Sequence, residues 1–310
     1  GTFQFFAARQ AHEHVKTLAD YVIERHYPQL EGRGNKYAGL LHEVVQKQAQ
    51  LVAKWMGFGF IHGVMNTDNT TLSGETIDYG PCAFMDFYHP DTVYSSIDAH
   101  GRYAYGNQPN IALWNMTRLA ESLLFLIDDD EKVAIEKAEA LVGTFPRIFS
   151  ETWRQVMCAK LGLSQYENGD DTLIGDLLSM MAATTADFTR TFRRLCTLSD
   201  CTTHSGPGIK LFDGHKEALG WFNRWHERLQ EESRDPVLRI EQMKKVNPAI
   251  IPRNHLVEQA IQSALPDMDF SYFERLVEAL ENPFIDRSEG DKLTLPPQPH
   301  EVVHQTFCGT

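Results

Sequence analysis

The residues His62-Gly-Val-Met-Asn-Thr-Asp-Asn69, followed nine residues after Asn69 by Asp78-Tyr79-Gly80, place two carboxylates and an amide within one short connection. A hard divalent cation such as Mg²⁺ takes oxygen ligands and combines one or two protein oxygens with water and substrate phosphates. Asn69 and Asp78 have the required donor types. Asp68 is then free to orient a nucleophile or accept its proton. Between them, Ser73-Gly74 is a turn signal flanked by Thr71-Leu72 and Thr76-Ile77, which predicts a tight hairpin that would set Asn69 and Asp78 side by side. Taken singly, these are ordinary turn formers. Their joint pattern, directly after a helical stretch ending in Trp55-Met-Gly-Phe-Gly-Phe60, favours cation and phosphate chemistry over a plain surface loop.

Kinase-like folds hold Mg²⁺ against a nucleotide triphosphate with an Asn and an Asp on such a connection, but they put the catalytic acid two residues after the motif His. Aligning this chain on His62 and Asn69 places Val64 there. A carboxylate is still present as Asp68, immediately before Asn69, so the pattern predicts altered chemistry rather than absent chemistry.

The same run, together with Thr76-Ile-Asp-Tyr-Gly-Pro81, Asp98-Ala-His-Gly-Arg-Tyr103, Gln108-Pro109, Leu113-Trp-Asn115, Asn247-Pro248, Arg253-Asn-His255 and Cys308-Gly-Thr310, resembles the selenoprotein O family, called YdiU in bacteria. The resemblance covers the whole chain. It implies a mainly α, protein-kinase-like C-lobe with a short β-hairpin at the metal site and an α-helical C-terminal extension. It also implies transfer of AMP from ATP to Ser, Thr or Tyr hydroxyls of other proteins. By that resemblance Asp68 is the proton acceptor, Asn69 a Mg²⁺ ligand, and Asp78 a Mg²⁺ ligand that also touches the nucleotide, with Mn²⁺ as an alternative ion. Family members carry a glycine-rich loop, a phosphate-binding Lys, a helix Glu and two Arg ahead of the segment that Gly1-Thr2-Phe3 resembles. No glycine-rich phosphate loop occurs in this sequence to replace them. The expectation is that the 310-residue chain by itself is a weak transferase or none, because most of the positive charge that would clamp a triphosphate is missing.

The resemblance also draws attention to Cys308, which occupies the place of selenocysteine in eukaryotic members. In some relatives that residue pairs with a cysteine at the position of Tyr94 here, so the known pairing does not transfer. Cys82, four residues past Asp78, is the alternative redox partner for Cys308. An unpaired tail thiol and a small packed residue is the plainer reading of the two. The remaining cysteines form no CxxC pair, and Cys196, Cys201 and His204 lack a fourth ligand at zinc spacing.

Composition bounds the class. The formal net charge of −13 disfavours a nucleic-acid partner, and no apolar run approaches membrane-spanning length. A cytoplasmic protein is expected, or a mitochondrial one if the source is eukaryotic. Apolar residues at helical spacing predict a helix ending before Pro28 and a second through Leu40, Leu41, Val44, Val45, Ala49, Val52 and Ala53, which leads into the motif. Residues 81–105 lack periodicity and read as a loop of the activation-segment kind. Its Asp98, His100, Arg102 and Tyr103 are expected to anchor the loop. A strongly apolar helix follows over Asn110 to Ile127, with no chemistry assigned to it. Helices are further expected from Leu173 to Leu195 and from Ala218 to Leu229. Arg190, Arg193 and Arg194 read as a solvated face, Arg253-Asn254-His255 as a helix start, and residues from Asp291 as an extended Pro-rich tail. A boundary near residue 128 divides a kinase-like C-lobe core, 1–127, from an α-helical extension, 128–310.

Overall fold

Helix α1 (Thr2–Ala7) and α2 (His12–His26) open the chain, and α2 ends where Pro28 starts a 3₁₀ turn. The amphipathic stripe predicted after it forms α3 (Lys36–Gly57). Asn35 caps α3 by accepting from the Ala38 amide at 3.0 Å, and its side-chain amide donates to the carbonyl of Ile127. The start of α3 is thereby fastened to the end of α4 (Gln108–Ile127). In this computed structural model, which describes residues 1–199, 211–212, 214–288 and 290–307, the chain is mainly helical. Cys201, His204 and Cys308 lie outside the described residues.

After α4 come α5 (Glu131–Val142), capped by Asp130, and α6 (Phe145–Leu161). The helix expected over Leu173 to Leu195 is two helices, α7 (Asp170–Ala183) and α8 (Phe188–Leu198). The break has a local cause: Thr185 adopts φ 50°, and Asp187 caps α8 by accepting from the Arg190 amide at 2.8 Å. Then follow α9 (Ala218–Glu231), α10 (Pro236–Val246), α11 (Asn254–Asp267) and α12 (Ser271–Leu280). Trp221 and Trp225 of α9 are buried, and their indole N–H groups donate to the carbonyls of Leu173 and Leu161 at 2.8 and 3.0 Å. One apolar core is continuous from Phe3 to Met243, and a smaller cluster of Ile250, Leu256, Leu276, Ala279 and Leu293 lies beneath α11 and α12.

The β structure is an antiparallel pair, β1 (Phe60–Ile61) with β2 (Ala83–Phe84), in the register Phe60 to Phe84 and Ile61 to Ala83. This corrects the predicted hairpin. The paired strands bracket the motif from outside, and Thr70 to Ile77 forms no strand. The carbonyls of Thr71, Leu72 and Ile77 are taken by the side chains of Gln48, Tyr27 and His62, so they are not available for a ladder across the loop. The solvated face expected at Arg193 is also corrected. Its guanidinium donates to the carbonyls of Lys244, Asn247 and Phe284 and pairs with Asp286, tying α8 to the C-terminal third of the chain.

Candidate active site

The motif loop runs from the end of β1 to the start of β2 and is pinned at both ends. α3 terminates at Phe58, and Gly59 turns the chain with φ 69°. A Cβ there would sit 3.0 Å from the Phe188 ring, so both conformation and packing favour glycine. The wholly buried Gln108 then completes the strand edge: its Nε2 donates to the Phe60 carbonyl and its Oε1 accepts the His62 amide, both at 3.0 Å. His62 is buried too. Its Nε2–H donates to the Ile77 carbonyl at 2.8 Å, and Nδ1 faces the Val64 amide at 3.4 Å. Burial pushes its pKa below the ordinary histidine value against the opposing pull of that hydrogen bond and of Asp78, so it bridges the loop as a neutral ring.

Thr67–Asn69 forms a single 3₁₀ turn. The Asn69 amide donates to the Asn66 carbonyl at 3.0 Å, and the Asn66 side chain accepts from the Tyr103 hydroxyl at 2.5 Å. From α4, Asn115 donates to the Met65 carbonyl at 3.1 Å and to Thr70 Oγ1 at 2.8 Å. Asp98 in turn accepts the amides of Arg102 and Tyr103, which performs the anchoring expected of that segment. Asn69 Nδ2 donates to the Val64 carbonyl at 3.0 Å, which leaves its amide oxygen as the atom able to meet a cation. Asp68 is exposed and lines a cavity of about 230 Å³ together with Phe3, Gln4, Thr67, Asn115 and Arg118.

The far end of the loop is set by Trp55, whose indole donates to Thr76 Oγ1 at 2.8 Å, and by a Thr71 hydroxyl that caps Glu75. Asp78 is exposed with φ 56°, a left-handed conformation that Asp tolerates better than most side chains but that still costs energy. It lies within electrostatic reach of His62 and Cys82. Asp68 and Asn69 are thus adjacent in one turn, Asp78 is exposed at the far end of the loop, and Asn69 and Asp78 lie outside the lining of the cavity that Asp68 lines.

Burial raises the Cys82 thiol to about 11, and the charge of Asp78 adds to that, so this sulfur stays protonated at neutral pH. The tail reaches the same place. Thr306 exchanges backbone hydrogen bonds with Tyr94 and Ser96 at 2.7 and 3.0 Å, and its hydroxyl donates at 2.5 Å to the carbonyl of Pro81, the neighbour of Cys82.

The donor set suits Mg²⁺. Among the described residues no three His, Cys, Asp or Glu side chains converge as a protein-only cage. One amide oxygen and one exposed carboxylate are what an ion that keeps water and phosphate ligands requires. Of the residues that fix this loop from outside it, Gln108 and Asn115 lie in motifs that carry the resemblance but are assigned no role by it, and Gln48 lies in none of them. Their signal is a polar side chain on the apolar stripe of a helix, which must find a partner.

The family model for protein adenylyltransferase SelO matches residues 1–281. The chain is 51% identical over 311 residues to a protein nucleotidyltransferase YdiU of Rhizobium etli, covering 100% of this chain and 62% of that protein. It is 52% identical to the YdiU protein of Rhodopseudomonas palustris and 49% to that of Geobacillus kaustophilus, in each case over 100% of this chain and 63% of the relative. The pinned loop, with its acid, amide and acid, therefore sits in a chain that spans about 62% of the length of such relatives and belongs to the SelO family.

Proposed function

We propose that the whole protein transfers AMP from ATP to hydroxyl side chains of other proteins, with Asp68 as proton acceptor and Asn69 and Asp78 holding Mg²⁺ or Mn²⁺. Asp78 is also assigned a contact with the nucleotide. The observation that carries this reading is the turn at Thr67–Asn69, where the Asn69 amide is oriented by Val64 while the neighbouring Asp68 carboxylate opens into a cavity. When bound, the ion neutralises phosphate charge that would otherwise repel an incoming nucleophile. Asp68 takes the proton from the acceptor hydroxyl, whose oxygen bonds to the α-phosphorus as the bond to pyrophosphate breaks. Val64, at the position of the usual kinase acid, is a buried apolar side chain, which weighs against γ-phosphoryl transfer. We read residues 1–127 as a protein-kinase-like C-lobe core and 128–310 as its α-helical extension, both drawing on the same apolar core.

Intact-mass analysis of the full-length protein and an acceptor protein, incubated with ATP and Mg²⁺, tests this. An AMP-sized gain is expected. Asp68→Ala should slow it by about a hundredfold or more, and Asp78→Ala should abolish it. A phosphate-sized gain, or an AMP-sized gain indifferent to both substitutions, would overturn the assignment.

A further inference from the structure

Helices α11 and α12 form an antiparallel pair whose inner face is already satisfied. Leu256, Leu276 and Ala279 pack with Ile250 and Leu293 in the smaller core. The opposite side is apolar as well. Val257, Ile261 and Leu265 recur at every fourth residue along α11, and Phe273 and Val277 do so along α12. Residues at that spacing share one helix face, so the two rows make facing ridges. They enclose an open groove of about 580 Å³, closed at the turn by Met268 and Phe270. Leu265 and Met268 are 75% and 74% exposed, and Ile261 and Phe273 are each 51% exposed. A contiguous exposed apolar groove of this kind marks an interaction site in a way that scattered surface apolar residues do not.

The rim identifies the occupant. Exposed Glu258, Asp269, Glu274, Glu278 and Glu281 flank the groove, and Arg275 is the one Arg or Lys in residues 254–281. A twofold pairing of copies would set this acidic rim against itself, and an anionic membrane surface would be repelled by it. A helix with an apolar stripe flanked by Lys or Arg satisfies both the groove and the rim. We propose that the α11–α12 groove is a docking site for a basic amphipathic helix of a partner protein. This inference stands independently of the transferase reading.

The test uses a fluorescein-labelled synthetic Leu/Lys amphipathic helix and the same peptide with its sequence scrambled to remove the stripe, read by fluorescence anisotropy. The amphipathic peptide is expected to bind about tenfold or more tightly than the scrambled one. Ile261→Asp and Phe273→Asp, each checked for native circular dichroism, should weaken binding by about tenfold or more. Glu274→Lys with Glu278→Lys should weaken it at low salt and less so at high salt. Equal binding of the scrambled peptide, or affinity unmoved by the groove substitutions, would overturn the proposal in favour of unspecific charge attraction. Self-association that Phe273→Asp abolishes would assign the groove to a second copy. Retention on phosphatidylglycerol vesicles that Phe273→Asp abolishes would assign it to lipid.

Discussion

Asn115 shows how much a single buried amide organises here. Its two donors hold the Met65 carbonyl and the Thr70 hydroxyl on either side of the turn carrying Asp68 and Asn69, while its own Oδ1 is buried without a partner. Replacing it by leucine removes that orphaned oxygen but strands the Met65 carbonyl and removes the turn's hydrogen bonds to α4. Asn115→Leu is expected to cost about 1–2 kcal/mol in urea unfolding. Amide hydrogen exchange at Asn66 to Thr70 should accelerate more than the global loss explains. Uniform acceleration across α4 would instead mean that the residue acts only through core packing.

The junction of α3, α6 and α8 contains a buried amine that has no acidic partner among the described residues. Lys160 of α6 points its Nζ at the Phe192 ring, 4.2 Å from the centroid, with Phe188 and Phe58 at 5.5 and 5.8 Å. Phe58 terminates α3 and precedes Gly59, so this aromatic cage lies at the foot of β1. Burial lowers the Lys160 pKa from 10.5 to about 7, with the neighbouring Cys196 thiol pulling the other way. Between those values the unfolded chain binds the proton and the folded chain does not, so stability rises with pH. The slope is at most about 1.4 kcal/mol per pH unit. It should be read from about pH 7 to 8.5, before the buried thiols of Cys82 and Cys158, whose pKa values burial raises, begin to oppose it. Lys160→Met should flatten this slope and be at least as stable as the parent at pH 7 in denaturant titrations. A parent whose stability is level across that window would contradict the assignment.

Across the whole molecule, Arg253 is the tie between distant parts of the chain. It lies at the start of α11, forms a parallel bridge with Phe84 of β2, pairs with Asp86 and with Asp187 at 2.9 Å, and donates to the Thr294 carbonyl at 3.2 Å. One side chain thus joins the strand leaving the motif loop, the cap of α8 and the C-terminal segment. Burial raises the Asp86 pKa although Arg253 pulls it down, so the Asp86 carboxylate depends on this partner. Arg253→Met is expected to destabilise by about 3–5 kcal/mol, because it leaves the buried Asp86 carboxylate without its cation and removes the ion pair to the half-buried Asp187. Adding Asp86→Asn should recover part of that loss. No recovery would show that the side chain's packing, not its charge, matters. Among the described residues no helix is long and apolar enough to cross a membrane.

By itself the sequence determined whatever depends on near neighbours. Apolar spacing marked α2, α3 and α4, and the types and order of Asp68, Asn69 and Asp78 marked the loop where chemistry is concentrated. Such patterns are legible because a helix face or a turn is specified within a few residues. Only the tertiary structure decided what the loop does with its backbone. Ser73-Gly74 has hairpin chemistry, yet Gln48, Tyr27 and His62 claim the carbonyls that a ladder would need. It also decided that α7 and α8 are separate, that Arg193 is a crosslink, and that Thr306 returns the tail to Pro81. The break between α7 and α8 is local, set by the turn at Thr185 and the Asp187 cap. The other outcomes share one cause, since each hydrogen bond or ion pair joins groups far apart in the chain, and a buried polar group takes the partner that folding brings to it.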